Sequence, residues 1–457
     1  MYNENAWKKY SDEDLKKVKN FGDEYIKFLS DNKTEREVTS AAVKLLEGKG
    51  YKNLDDVKTI KANDKIYAVN RGKNVAAFII GSEDIENGIN VLGAHIDSPR
   101  IDLKQNPLYE SGDFAYFDTH YYGGIVKYQW VARPLAIHGV VCKKDGTTVN
   151  VVIGEDDNDP VLMISDLLPH LAQDKNVKPG NKVIEGEDLD LTIAHMPLKD
   201  EEKDAVKANV LRLLKEKYDI TIEDFVSSEL EVVPQGKARS LGLDSSMILG
   251  YGHDDRVCAY SSLRAVLDTD KVTRTSCAVL VDKEEIGSVG ATGAHSEWFP
   301  NVIAEIICKI KGNYNDLMLR HTLTNSYMLS SDVSAGFDPL YPSVFEKNNA
   351  AYLGHGLTFN KYTGSRGKSG CNDAMPEFIA KIRDIMDKAN VSYQTAELGR
   401  VDQGGGGTIA YILANQNMNV IDAGIPVLSM HAPFETISKA DLYEAYLGYI
   451  AFIKNIK

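Results

Sequence analysis

Polar and apolar positions fall into two textures along this chain. Residues 11 to 50 pattern as two helices, the first opened by Ser11 with Asp14 three positions on, the second by Thr34 with Glu37 as a capping box and closed by Gly48. The short apolar runs IYAVN, VAAFII and NVLGAHID follow and predict strands, so the opening alternates helix and strand as a layered α/β domain does. From residue 100 the texture changes. YQWVARPLAIHGVVCKKDGTTVNVVIG predicts hairpin strands around the Asp145-Gly146 turn, then comes an irregular stretch rich in Asp, Pro and Gly, broken by a helix over 201–217. After Leu243 the alternation resumes and runs to Lys457. The pattern predicts one α/β domain in two pieces, 1–99 and 244–457, with a β-rich insert over 100–243. There is no internal repeat, and Gly404 to Gly407 is the only low-complexity stretch.

Five of the apolar runs end on residues that bind divalent metals: INVLGAH on His95, MILGYGH before Asp254, SCAVLVDKE on Glu284 and Glu285, NSYMLSSD on Asp332, and PVLSMH on His431. Open α/β sheets build their sites at the carboxyl ends of such strands, which predicts that these side chains converge on one rim. Imidazole and carboxylate without cysteine suit zinc, cobalt or manganese; oxygens alone would suggest calcium or magnesium.

Each signal is weak alone. On a strand, a spacing of two puts His95 and Asp97 on one face, where Asp97 is placed to hold the second ring nitrogen of a ligating histidine; an ordinary hydrogen-bonded pair is the commoner explanation. One carboxylate at the Asp254-Asp255 junction can bridge two cations, although acids are favoured at any helix N-terminus. In the adjacent Glu284 and Glu285, one carboxylate can ligate while its neighbour faces an attacking water, as hydrolysis at a metal requires. Asp332 and His431 gain meaning only from recurrence: five accidents would have to fall at five strand ends. The other histidines (His120, His138, His195, His253, His295, His321 and His355) read as structural. The glycine run lacks the lysine of a phosphate loop and reads as close backbone packing or a loop near the site.

Composition narrows the class. A chain of 457 residues with 43% hydrophobic and 26% charged residues is long enough for two globular domains, and no apolar run approaches the roughly 20 residues of a membrane helix. The net charge of -14 argues against a nucleic-acid partner. The opening segment has no apolar signal-peptide core, and five scattered cysteines (Cys142, Cys258, Cys277, Cys308 and Cys371) fit reduced thiols, so the expected location is cytoplasmic.

VLGAHIDSPRIDLK, YYGGIVKYQW, DKEEIGSVGATGA, GGGTIAYILA and LSMHA resemble, in order and over nearly the whole chain, the motifs of the M18 metalloaminopeptidases, the aspartyl aminopeptidase group. The resemblance implies a mixed β-sheet flanked by helices, with an inserted dimerisation domain matching residues 100–243, and a hollow dodecamer built from dimers. It implies two divalent ions per chain, most likely zinc: His95, Asp254 and Asp332 on one, Asp254, Glu285 and His431 on the other, with Glu284 as general base. The chain departs from the family pattern in two places. Gly367, Lys368 and Ser369 stand where members carry Gln-Arg-Tyr, which shifts the expected preference from acidic toward neutral N-terminal residues, with Arg366 and Lys368 as substitute cations. Leu171, Ala172, Gln173 and Asp174 lack the histidine that members lend to a neighbouring subunit, a role open to His170.

The expected activity is removal of the N-terminal residue from peptides with a free amine. A carboxypeptidase or N-deacylase would use much the same ligands, and an assembly protein with an idle site would keep them.

Overall fold

The computed structural model describes residues 4–457. The chain divides into two compact units, one running to Asp97 and resuming over Ala238–Met430 and Glu435–Lys457, the other comprising Ser98–Lys237 and His431–Phe434. The long stretch of the second unit runs over Ser98–Lys237 rather than the expected 100–243. The reason is pairing: Arg239–Leu241 and Met247–Gly250 form a small antiparallel sheet with Glu435–Ser438 of the first unit.

The first unit is built on a nine-stranded mixed sheet. At its centre Ser276–Val281, Asn90–His95, Tyr327–Ser330 and Asn419–Gly424 lie side by side and parallel. Their carboxyl ends therefore share one edge. Period-2 alternation sends neighbouring residues to opposite faces, each with its own core. Leu92, Ala94, Ala278 and Leu280 face a cluster with Phe21, Tyr25, Leu263 and Phe452, from the helices Asp12–Asp31, His253–Leu267 and Lys439–Asn455. Val91, Cys277, Val279 and Val281 face a second cluster with Phe299, Ile303, Ile306 and Leu413, from Trp298–Lys311 and Ala410–Ala414. Helices on both faces explain why the central strands are mostly apolar on both sides. The first two helices start where the caps predict: Ser11 and Thr34 each form a capping box, with Asp14 and Glu37 respectively.

Two of the five apolar runs lie outside this sheet, contrary to the expectation of one common rim of strands. Met247–Gly250 belongs to the small antiparallel sheet, and Pro426–Val427 pairs only with Ser334–Ala335. Both runs are short and broken by left-handed backbone, at Gly252 (φ +76) in one and at Ser429 (φ +58) and His431 (φ +65) in the other.

The second unit is a six-stranded antiparallel sheet, including Leu135–Cys142 and Thr148–Ile153 about the Asp145-Gly146 turn. Phe117 of this sheet meets Phe225 edge to face at 5.5 Å. Its longer helix spans Ala205–Tyr218, starting later than the expected 201 because Asp204 holds a left-handed conformation (φ +50). Leu167, Leu168, Leu171, Val177 and Met196 are exposed on this unit.

Candidate metal centre

The shared edge of the main sheet supplies most of the site. His95 ends its strand opposite Val281, and Ser330, two residues before Asp332, pairs with Gly93 of the same strand. Glu284 and Glu285 follow Val281 in a single 3-10 turn, entered through Lys283 (φ +71) and left through Gly287 (φ +94). Asp254 arrives from the start of the helix His253–Leu267, whose first residues are non-helical, and a cis peptide joins it to Asp255.

His95 is the hub of this arrangement. Its Nε2 lies 3.1 Å from Asp254 Oδ1, 3.9 Å from Asp332 Oδ1 and 4.0 Å from Glu284 Oε2. Ligand atoms of His95, Asp254 and Asp332 sit within 4.8 Å of one another, as do those of His95, Glu284 and Glu285. His95 Nδ1 lies 3.0 Å from the Asp97 carbonyl oxygen and 3.3 Å from its carboxylate. With Nδ1–H donating there, Nε2 is the nitrogen whose lone pair faces the acids.

Asp97 does more than its spacing suggests, because the strand ends at His95 and the chain then turns. The Asp97 carboxylate accepts the backbone N–H of Glu284 at 3.1 Å and of Glu285 at 3.2 Å, so one buried side chain ties the histidine to the glutamate turn. Asp255 Oδ2 accepts the His95 N–H (3.3 Å), and the buried Glu435 accepts the Asp254 N–H (3.0 Å). Glu435 was not legible in the sequence: a lone acid in APFETIS carries no pattern.

His431 falls in the segment grouped with the second unit. Its Nδ1 donates to the Gly124 carbonyl (2.8 Å), which likewise leaves Nε2 as the ligating nitrogen. Gly124 suits that contact, since a Cβ there would lie 3.3 Å from the ring. His170 is exposed on the turn Pro169–Leu171.

The electrostatics fit a cation. Burial first, then repulsion from Asp255, Glu284 and Asp254 with His95 opposing, pushes the Asp332 carboxyl well above the ordinary range. Burial would depress His95, but its bonds to Asp254 and Asp97 outweigh that and raise it. Crowded, desolvated carboxylates around an imidazole are costly unless a positive charge offsets them, and this nitrogen and oxygen donor set suits zinc.

The segment around Gly367 and Lys368 lines a cavity of about 300 Å³ in the first unit, with Tyr362, Arg366, Glu397 and Arg400 also on its walls. Lys368 Nζ sits 3.8 Å from the Tyr362 ring centre and 3.1 Å from Asp373. The glycine run serves close packing: a Cβ on Gly404 would lie 1.8 Å from the Leu398 carbonyl oxygen, and one on Gly405 2.5 Å from Ser365 Cα.

A two-sided α/β sheet with histidine and acids gathered at the carboxyl ends of its strands defines a zinc-peptidase type of protein. Comparison with known families makes this specific. Residues 28–453 match the family described as aminopeptidase I zinc metalloprotease (M18), and the chain belongs to that family. It is 59% identical over 456 residues to a probable M18 family aminopeptidase 1 of Clostridium acetobutylicum, covering 99% of this chain and 98% of the relative. The crystal structure of an M18 aminopeptidase from Thermotoga maritima superposes with a TM-score of 0.96 at 44% identity, covering 100% of both chains. The S. cerevisiae mApe1 dodecamer structure shares the fold at 22% identity, with a TM-score of 0.75, 95% of each chain being covered. The chain is thus a metalloaminopeptidase, a hydrolase of a zinc-dependent family. Among the described residues no helix is long and apolar enough to cross a membrane.

Proposed function

We propose that this aminopeptidase works with two divalent ions, zinc by family, His95, Asp254 and Asp332 holding one and Asp254, Glu285 and His431 the other, with Glu284 as general base. The observation that carries the reading is the gathering of Asp254, Asp332, Glu284 and Glu285 about the buried His95. Bound there, the ions supply the Lewis acidity that makes water nucleophilic and polarises the scissile carbonyl. Glu284 accepts the proton of the attacking water at a carboxylate oxygen and returns it to the leaving amine. Asp97 orients the His95 ring and fixes the backbone of the glutamate turn. A site carboxylate that receives a free α-amino group restricts cleavage to the first residue of a peptide.

The loss of the family's Gln-Arg-Tyr segment favours neutral first residues such as Leu. The inserted unit carries the dimer contacts of a dodecamer, the assembly of the yeast relative.

The test is a panel of aminoacyl chromogenic substrates assayed with zinc, cobalt and manganese, beside N-acylated and carboxypeptidase substrates. The expected result is cleavage of free-amine substrates, Leu included, abolished by chelation and restored at two ions per chain. Preferential cleavage of acylated substrates would make the protein an N-deacylase, and metal without turnover would make it an idle assembly protein. Asp and Glu substrates cleaved at least about tenfold better in kcat/KM than every neutral one, roughly 1.4 kcal/mol of discrimination, would show that an acidic pocket persists.

A further inference from the structure

The foot of the glutamate turn holds three buried charges that hydrolysis itself does not call for. Asp282, fully buried at the end of the strand Ser276–Val281, lies two residues before Glu284. Its carboxylate accepts the Thr292 hydroxyl at 2.7 Å, and its N–H donates to the Thr292 carbonyl at 3.4 Å, so the loop carrying Glu284 and Glu285 is closed at its base. Asn74 Nδ2 donates to the same carbonyl at 2.6 Å. The neighbouring Lys73 is aimed inward by a tight turn with Arg71 (φ +53) and Gly72 (φ +70) left-handed. Its Nζ lies 3.3 Å from Asp282 Oδ2 and 2.8 Å from Oε1 of Glu35, the fully buried first residue of the helix Glu35–Gly48.

Burying an ammonium and two carboxylates is costly before pairing offsets it, and apolar residues of similar volume would fill the space at lower cost. What such a cluster provides that apolar packing does not is a fixed geometry. We propose that Lys73 is a positioning residue for the glutamate turn: by clamping Asp282, and through it Thr292, to the helix at Glu35, it holds the loop base where the Glu284 and Glu285 amides meet Asp97. Lys73 acts through other residues and is not itself catalytic. The effect on turnover rests on the proposed role of Glu284; the effect on the loop does not.

The two are separated by measuring hydrogen exchange across residues 283–292 in the metal-free protein, and kcat and KM after zinc reloading, for Lys73→Met and Lys73→Arg. For Lys73→Met, exchange over this loop should rise about tenfold or more while the strand Ser276–Val281 stays protected. Its kcat should fall about tenfold with KM within about twofold, and Lys73→Arg should restore most of both. If Lys73→Met does not fold, the double variant Lys73→Met/Glu35→Gln removes the helix-side charge as well and takes its place. A loop as protected as in the wild type, or exchange rising equally throughout the first unit, would overturn the proposal. An unprotected loop in an enzyme that cleaves no aminoacyl substrate would instead refute the proposed function and leave the positioning role standing.

Discussion

Glu284 lies just beyond one strand of the main sheet and Asp422 within another, with two strands between them, and their surroundings give them opposite behaviour. Glu284 retains some solvent access, about 15% of its side chain, with its amide fixed by Asp97. Glu284→Gln keeps the shape and the amide contact but cannot take a proton, so it should retain metal content by elemental analysis while losing activity on the order of 100-fold or more. Near-normal turnover would remove Glu284 from the mechanism. Asp422 is buried on its strand opposite Ser330, near the Thr408 and Ser330 hydroxyls but without a well-formed hydrogen bond to either. Burial pushes its carboxyl up from 3.8 to about 7, the hydroxyls opposing. The native state then keeps a proton that the unfolded chain releases, so this group makes stability fall as pH rises from 3.8 through about 7. Asp422→Asn cannot ionise. Its Tm relative to the wild type should therefore be higher at pH 8 than at pH 5, and a pH-independent difference would contradict the assignment.

At the scale of elements, the site depends on how closely strand ends approach. Gly424 closes the strand Asn419–Gly424, and a Cβ on it would fall 1.6 Å from the Asp332 carbonyl oxygen. Gly424→Ala must push the Asp332 backbone aside, which should cost about 1–3 kcal/mol in denaturant unfolding and weaken zinc binding measurably. Unchanged stability and affinity would mean that the backbone yields freely. The strands leading to His95, Glu284 and Asp332 were legible because each is a compact apolar run ended by glycine or polar residues, and the first two helices because their caps are local. The placement of Met247–Gly250 and Pro426–Val427 in separate small sheets was not, since pairing with Glu435–Ser438 or Ser334–Ala335 leaves no local trace. The same holds for Glu435, Lys73 and Asp282: a single polar residue acquires its meaning from partners far away in the chain, Asp254 for Glu435 and Asp282 for Lys73. Asp97 was legible as a partner of His95 but not as the acceptor for Glu284 and Glu285, because that contact depends on the chain leaving the strand at Ile96.

For the whole molecule, the exposed apolar side chains of the second unit, Leu168, Leu171, Val177 and Met196 among them, are what a contact between subunits would cover. Light scattering at micromolar concentration should report about 600 kDa, twelve chains of 50.5 kDa, and a monomer would contradict the proposed assembly. The inserted unit also sets the timing of folding. Among the described residues the strand Asn90–His95 pairs only with Ser276–Val281 and Tyr327–Ser330, both of which the ribosome makes after residues 98–237. About 180 residues, roughly 10 to 40 s of synthesis, separate His95 from its first partner. Through that interval an apolar strand is exposed with both edges open, a template for wrong pairing, before half of the proposed metal ligands have been made.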